Sequence, residues 1–434
     1  MRDLICENVS VENGVLHFAG QNTVNLAEKY GTPLYLMDEN RIRERCRTYS
    51  KAVRENFGEN AKVLYASKAA SFKRIYEIMK EENMGIDVVS SGEIATALKA
   101  EFPLKNAFFH SNNKTNADIE YAISNGIGYF VVDNVEELFE ISKTAKNKGI
   151  VQNVLLRITP GIDPHTFEAV ATGKVDSKFG SAIQTGQALE ITKTALSLEN
   201  LHLSGFHCHV GSQVFESEVY FSTIDIMFSF IKDVENSLNH KTEILDLGGG
   251  IGVRYVESDP KFNLYNEMTS LCAHVKESAK KMDVELPLIC FEPGRSIVAD
   301  SGMTLYTVGT VKKIPGYKTY VSVDGGITDS PRFLLYGAKY TFAVANKMAE
   351  NDEMSVSVVG RCCESGDVLG ENIKLPKSVC RGDVLAQFTT GAYHYSMASN
   401  YNRIPRPPIV MLKDGESYLA VRRETIEDIV SLDI

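Results

Sequence analysis

The chain has 434 residues, 44% apolar and 24% charged, with a formal net charge of -10. This is ordinary globular composition, with room for a large core and no sign of long disorder. It carries no basic block of the kind that binds nucleic acid, and no apolar run reaches the ~18–20 residues that span a bilayer. The opening stretch MRDLICENVSVENG has neither an apolar segment nor a small-residue cleavage site, and the eight cysteines are scattered without CxxC spacing. Free thiols and a cytoplasmic location are therefore expected.

In chain order, residues 1–34 begin with short strands, the clearest at Val15–Ala19, expected to pack with the far end of the chain. From 35 to 298 short apolar runs alternate with longer amphipathic stretches. The runs are Val63–Tyr65, Ile86–Val89, Ala107–Phe109, Tyr129–Val132, Val154–Leu156, Leu203–Phe206, Ile244–Leu247 and Leu288–Phe291. Eight strand–helix repeats of this length predict an α/β fold, a (β/α)8 TIM-like barrel. An open doubly wound sheet is the competing reading. Residues 299–434 lose the helical pattern and predict an all-β domain, with strands at Thr304–Val308, Thr319–Val323, Met354–Val359 and Ile409–Leu412.

A barrel places its chemistry just past the C-terminal ends of its strands. Those positions hold Lys68, Ser90-Ser91-Gly92-Glu93, Arg157, His207-Cys208-His209, Gly248-Gly249-Gly250 and Glu292-Pro293-Gly294-Arg295. A lone lysine is usually a solvated surface residue, but Lys68 follows an apolar strand and precedes small residues. A desolvated lysine there can be a Schiff-base nucleophile. The glycine triplet is either a tight turn or a nest of backbone amides for phosphate, and strands 7 and 8 are where such barrels bind phosphate. His207 and His209 have strand period and are expected to point into the barrel. Zinc is a weak alternative for them, since no third ligand stands at suitable spacing, and no metal is expected.

The residues that carry a resemblance are Tyr65-Ala-Ser-Lys68, Phe109-His-Ser-Asn-Asn-Lys114, Arg157-Ile-Thr-Pro-Gly161, His165-Thr, Ala171-Thr-Gly173 and Ser177-Lys-Phe-Gly180. To these are added Gly205-Phe-His-Cys-His-Val-Gly-Ser-Gln213, Leu245-Asp-Leu-Gly-Gly-Gly250, Glu292-Pro-Gly-Arg295, Val323-Asp-Gly-Gly326, Arg332-Phe-Leu-Leu-Tyr336, Cys363-Glu-Ser-Gly-Asp367, Gly391-Ala-Tyr393 and Ser399-Asn-Tyr-Asn402. Over nearly its whole length the chain resembles the fold-type III decarboxylases that use pyridoxal 5'-phosphate (PLP), and among them the diaminopimelate branch. The resemblance implies that Lys68 holds PLP as a Schiff base, that Glu292 pairs with the ring nitrogen, and that His209 stacks on the ring. It assigns the phosphate to Gly249, Gly250, Ser212, the Pro293-Gly294-Arg295 turn and Tyr393, and places Asp87 beside Lys68. Arg295, Arg332, Tyr336 and Tyr393 would bind substrate carboxylate, and Glu364 its ammonium. Cys363 would return a proton to the substrate carbon from across a homodimer interface, with Glu364 crossing it too. Cys362 is read as packing. The implied reaction takes meso-2,6-diaminopimelate to L-lysine and CO2; the alternative substrates are D-ornithine, D-lysine or another basic amino acid. The sequence departs from the family at Arg361-Cys362 and at Ser330-Pro331-Arg332-Phe333, which bears on specificity. The polar segment from His165 to Lys178 is a candidate loop over the site.

Overall fold

The computed structural model describes residues 4–162 and 175–434. The chain divides into two compact units: Arg45–Gly252 with Phe262–Ser296, and Met1–Glu44 with Val253–Lys261 and Ile297–Ile434.

The first unit closes eight parallel strands into a ring: β1 Ala61–Ala66, β2 Gly85–Val88, β3 Ala107–Phe109, β4 Tyr129–Val132, β5 Gln152–Thr159, β6 Leu201–His207, β7 Ile244–Asp246 and β8 Leu288–Phe291. β4 pairs with β5 from Tyr129↔Asn153 to Val132↔Leu156, and β8 returns to β1 at Ile289↔Ala61. This closure excludes the open sheet. Amphipathic helices follow the strands. The longest, Ser217–Leu238, buries Tyr220, Ile224, Met227, Ile231 and Val234, the three-and-four spacing of a single helical stripe. Ser90, Thr115 and Asn134 cap the helices after β2, β3 and β4 through their side-chain oxygens, which keeps those connections short.

Inside the ring, Leu64, Phe108, Val131, Leu155, Ile244 and Cys290 form one buried apolar cluster. Side chains alternate along a strand, so the residue two positions on faces the same side. Those residues are Ala66, His110, Asp133, Arg157, Asp246 and Glu292. An apolar floor is thus followed, toward the C-terminal ends of the strands, by a polar layer.

The second unit is built around the thirteen-residue strand Gly302–Ile314. It pairs antiparallel with Lys318–Val323, Val384–Phe388 and Leu34–Asp38. Leu34–Asp38 also runs parallel to Ile409–Lys413. The N-terminal segment therefore belongs to this unit beyond residue 34, because the apolar strand at Tyr35-Leu36 finds both its partners there. Leu16, Phe18, Leu34, Leu36, Leu305, Phe388, Val410 and Leu412 are among the residues of its core. No helix among the described residues is long and apolar enough to cross a membrane.

Candidate active site

Lys68 lies on the single 3-10 turn Ser67–Ala69 directly after β1. Its Nζ is 3.7 Å from Oδ2 of Asp87; the lysine side chain is 45% exposed and the aspartate 1%. Neither Asp87 oxygen has a hydrogen-bond partner. Burial pushes its carboxyl up, against the pull of His110 and Lys68.

Glu292, just past β8, meets two imidazoles. His110 Nε2 is 2.7 Å from Oε1, and His207 Nε2 is 3.2 Å from Oε2. Burial opposes the charge on Glu292, but the histidines outweigh it and hold the carboxyl well below the usual range. Burial pushes the His207 imidazole down to about 3. His207 therefore helps as a neutral N–H donor rather than as a cation. Asp246 moves the other way: burial first, then the Glu292 charge, push its carboxyl well up.

β6 ends at His207, so strand period does not carry on to His209. His209 accepts the Gly249 N–H at Nδ1, 3.3 Å away, and burial keeps its ring well below its ordinary pKa. A Cβ on Gly249 would lie 2.1 Å from the Glu292 carbonyl oxygen, and one on Gly250 2.2 Å from that of Gly211. The triplet is thus glycine because neighbouring backbones pass where side chains would be. Ser212 accepts from Arg295 through Nη2 at 2.9 Å and Nε at 3.2 Å. The Pro293 carbonyl accepts the Ala66 N–H at 3.1 Å, joining the turn Pro293-Gly294-Arg295 to the strand that carries Lys68.

In the β unit, Arg332 opens the short helix Arg332–Tyr336. It is 7% exposed. Its Nη1 donates to the Tyr340 hydroxyl at 2.6 Å, and its guanidinium carbon lies 5.6, 5.7 and 5.8 Å from the ring centroids of Tyr393, Tyr255 and Tyr336. No carboxylate among the described residues pairs with it. Cys363 and Glu364 sit on an exposed turn. The Cys363 N–H donates to Asn402 Oδ1 at 2.8 Å, and the Glu364 carboxylate accepts from Ser365 and Gly366, each at 3.2 Å. Cys362 is half-buried, and burial, then Asp367, push its thiol up to about 11. Asp367 accepts the Cys362 N–H at 2.6 Å and the Ile327 N–H at 2.7 Å, so one carboxylate ties together the turns leading to Cys363 and to Arg332.

The structure brings Lys68, Asp87, His209, Ser212, Gly249, Gly250, Glu292, Pro293, Gly294 and Arg295 to the C-terminal ends of the barrel strands. Arg332, Tyr336 and Tyr393 meet in the β unit. His165-Thr and Ala171-Thr-Gly173 lie outside the described residues, as does the expected closing loop up to residue 174. Sequence reasoning gave no role to His110, Asp246, Tyr255 or Tyr340. For His110 and Asp246 the signal was available, since each stands two residues beyond an apolar interior position. The barrel residues fit PLP: a lysine amine beside an acid, a buried carboxyl with no hydrogen-bond donor of its own, and a second carboxyl kept anionic.

Residues 39–299 match the family model of the pyridoxal-dependent decarboxylase, pyridoxal binding domain. The chain is 44% identical to the diaminopimelate decarboxylase of Bacillus subtilis over 98% of this chain and 96% of that protein, and 43% identical to that of Halalkalibacterium halodurans over 97% and 95%. A solved diaminopimelate decarboxylase from M. jannaschii, in complex with L-lysine, superposes with a TM-score of 0.91 at 34% identity, covering 99% of this chain and 98% of that one. With near-full-length agreement in both sequence and fold, the chain belongs to the diaminopimelate decarboxylases, within the pyridoxal-dependent decarboxylase family.

Proposed function

We propose that the protein removes one carboxylate of meso-2,6-diaminopimelate as CO2 and releases L-lysine, the last step of lysine synthesis. When bound, PLP supplies the electron-withdrawing ring that stabilises negative charge on the carbon losing CO2. Lys68, Asp87, His209, Ser212, Gly249, Gly250, Glu292, Pro293, Gly294, Arg295 and Tyr393 are the residues that would hold it. The Glu292 carboxylate suits retention of a proton on the ring nitrogen. Arg295, Arg332, Tyr336 and Tyr393 would orient the substrate through carboxylate, Glu364 would take its ammonium, and Cys363 would return a proton to the carbon.

The observation that carries the substrate choice is Arg332, a buried guanidinium whose polar partner is a phenol. A buried cation without an anion is costly, and a substrate carboxylate relieves it through two parallel hydrogen bonds. Diaminopimelate keeps a carboxylate after CO2 leaves. Ornithine and lysine do not, which disfavours them. A homodimer is supported by Leu334 and Leu335, 48% and 54% exposed on the Arg332 helix, with Leu334 beside Gly366 of the Cys363–Asp367 turn. All eight cysteines are free, as a cytoplasmic enzyme requires. The test is a coupled lysine assay on purified protein with PLP. Release of lysine from meso-diaminopimelate is expected; CO2 from D-ornithine or D-lysine instead would replace this reading with its alternative.

A further inference from the structure

Five ionisable side chains converge below the Lys68 turn: Asp87 of β2, His110 after β3, His207 of β6, Asp246 of β7 and Glu292 after β8. All are buried. The groups facing Glu292 are Asp87, His110, Arg157, His207, Cys208, His209, Asp246 and Cys290; Lys68 faces Asp87, and Asp133, just past β4, faces Arg157, Lys114 and His110. Setting aside Asp133, which has Lys114 as a second cation, two cations, Arg157 and the half-exposed Lys68, stand among three carboxyls: Asp87, Asp246 and Glu292. In a desolvated layer three carboxylates against two cations, one of them half in solvent, are not tolerated, and at least one carboxyl must keep its proton. The chemistry at the ring nitrogen needs the charge on one of them in particular.

We propose that His110 and His207 are positioning residues that fix the negative charge on Glu292 and leave the proton on Asp246. The inference rests on the decarboxylase reading for what that charge is used for. Each Glu292 oxygen faces a different imidazole nitrogen, at 2.7 and 3.2 Å. The His207 contact is a hydrogen bond, whereas His110 Nε2 and Glu292 Oε1 meet at ion-pair distance without hydrogen-bond alignment. Asp246 has much less: Oδ1 accepts one backbone N–H, from Gly248 at 2.9 Å, and Oδ2 has no hydrogen-bond partner. A carboxyl bonded to one imidazole and in ion-pair contact with a second ionises before one that has a single amide and a like charge beside it. Burial of Asp246 and the charge on Glu292 reinforce that order.

His110 is itself held in place. Its backbone N–H donates to the Val88 carbonyl at 2.8 Å. Four residues on, Lys114 is fully buried and donates to the Val131 carbonyl at 2.8 Å and to Glu137 at 2.7 Å. The Phe109–Lys114 segment is therefore anchored at both ends, and the His110 ring is presented to Glu292 with little entropy left to lose. The rings of His110 and His207 meet edge to face at 4.8 Å, so each limits the other's rotation.

Infrared spectroscopy on the full-length protein, with and without PLP, reads the carbonyl stretch of protonated carboxyls. In the wild type a band is expected that Asp246→Asn removes. In His207→Phe and His110→Phe a new band should appear, and adding Glu292→Gln should remove it. His207→Gln, which keeps an N–H donor, should not produce the new band. The phenylalanine variants should lower kcat with little change in KM for diaminopimelate. Should Asp246→Asn fail to fold, labelling aspartate or glutamate with carboxyl carbon-13 assigns the wild-type band without substitution. A wild-type band that belongs to Glu292, no protonated Asp246, or phenylalanine variants with unchanged spectra would each overturn the proposal. Because the stripped protein reports the result without substrate, a failure to make lysine would sink the substrate assignment and leave this one standing.

Discussion

In the barrel mouth, Asp87, His110, His207, Asp246 and Glu292 share their charge within one buried layer, with the half-exposed Lys68 at its edge. Around Arg332, a single guanidinium sits among four phenol rings, with no carboxylate of the described residues paired to it. The first arrangement balances its charges internally and is ready to receive a ring whose polar atoms need fixed partners. The second is incomplete. Its tyrosines offer cation–π attraction of about 0.5–2 kcal/mol each at most, which is less than a buried charge demands. The difference separates a region organised before anything binds from one that an anionic ligand completes.

Substitutions can break each side of that contrast. The largest effect is expected for Lys68→Ala, which should abolish the visible absorption of lysine-linked PLP and all measurable turnover; an unchanged spectrum refutes the assignment. Next comes Cys363→Ala, expected to lower kcat by about 10²- to 10⁴-fold, the range of a lost proton donor, while PLP stays bound. Arg332→Ala should leave the PLP spectrum unchanged and raise KM for diaminopimelate about 10- to 100-fold, as the loss of ~1.5–3 kcal/mol of charged hydrogen bonding implies. If the spectrum shifts as strongly as KM, the Arg332 cluster is not the separate carboxylate receptor described.

The smallest effect sharpens the comparison through stability. Asp329 is buried beneath the Arg332 segment, accepts the Tyr306 hydroxyl at 2.5 Å and the Gly326 N–H at 2.9 Å, and burial pushes its carboxyl up to about 7. Its folded pKa lies above the unfolded value. Between about pH 4 and 7 the folded state therefore holds a proton that the unfolded chain has lost, and stability falls as pH rises, by at most about 1.4 kcal/mol per unit. Asp329→Asn should flatten that slope in urea titrations at pH 5 and pH 7; equal slopes in both proteins would exclude the linkage.

All eight barrel strands were legible, because each is a short apolar run bounded by polar helix-forming sequence. The polar layer was legible in part. Lys68, Glu292 and the glycine triplet stand out as residue types, whereas His110 and Asp246 are visible only once the interior face of each strand is known. The β unit was harder. Val368–Pro376 and Glu416–Val421 are strands whose polar content hides them, and the parallel pairing of Lys318–Val323 with Glu353–Val359 joins segments far apart in the chain. The tyrosines around Arg332 come from Tyr255, Tyr336, Tyr340 and Tyr393, a spacing that no local periodicity encodes.

Asp367 carries a consequence for how specificity can change. Its carboxylate binds the amides of Ile327 and Cys362, so the turn before Arg332 and the turn before Cys363 share one anchor. Reshaping either turn alone leaves the other pulling on a misplaced carboxylate. Drift in substrate preference must then proceed by paired changes across that anchor, and a graft of one turn from a relative should fail unless the other travels with it.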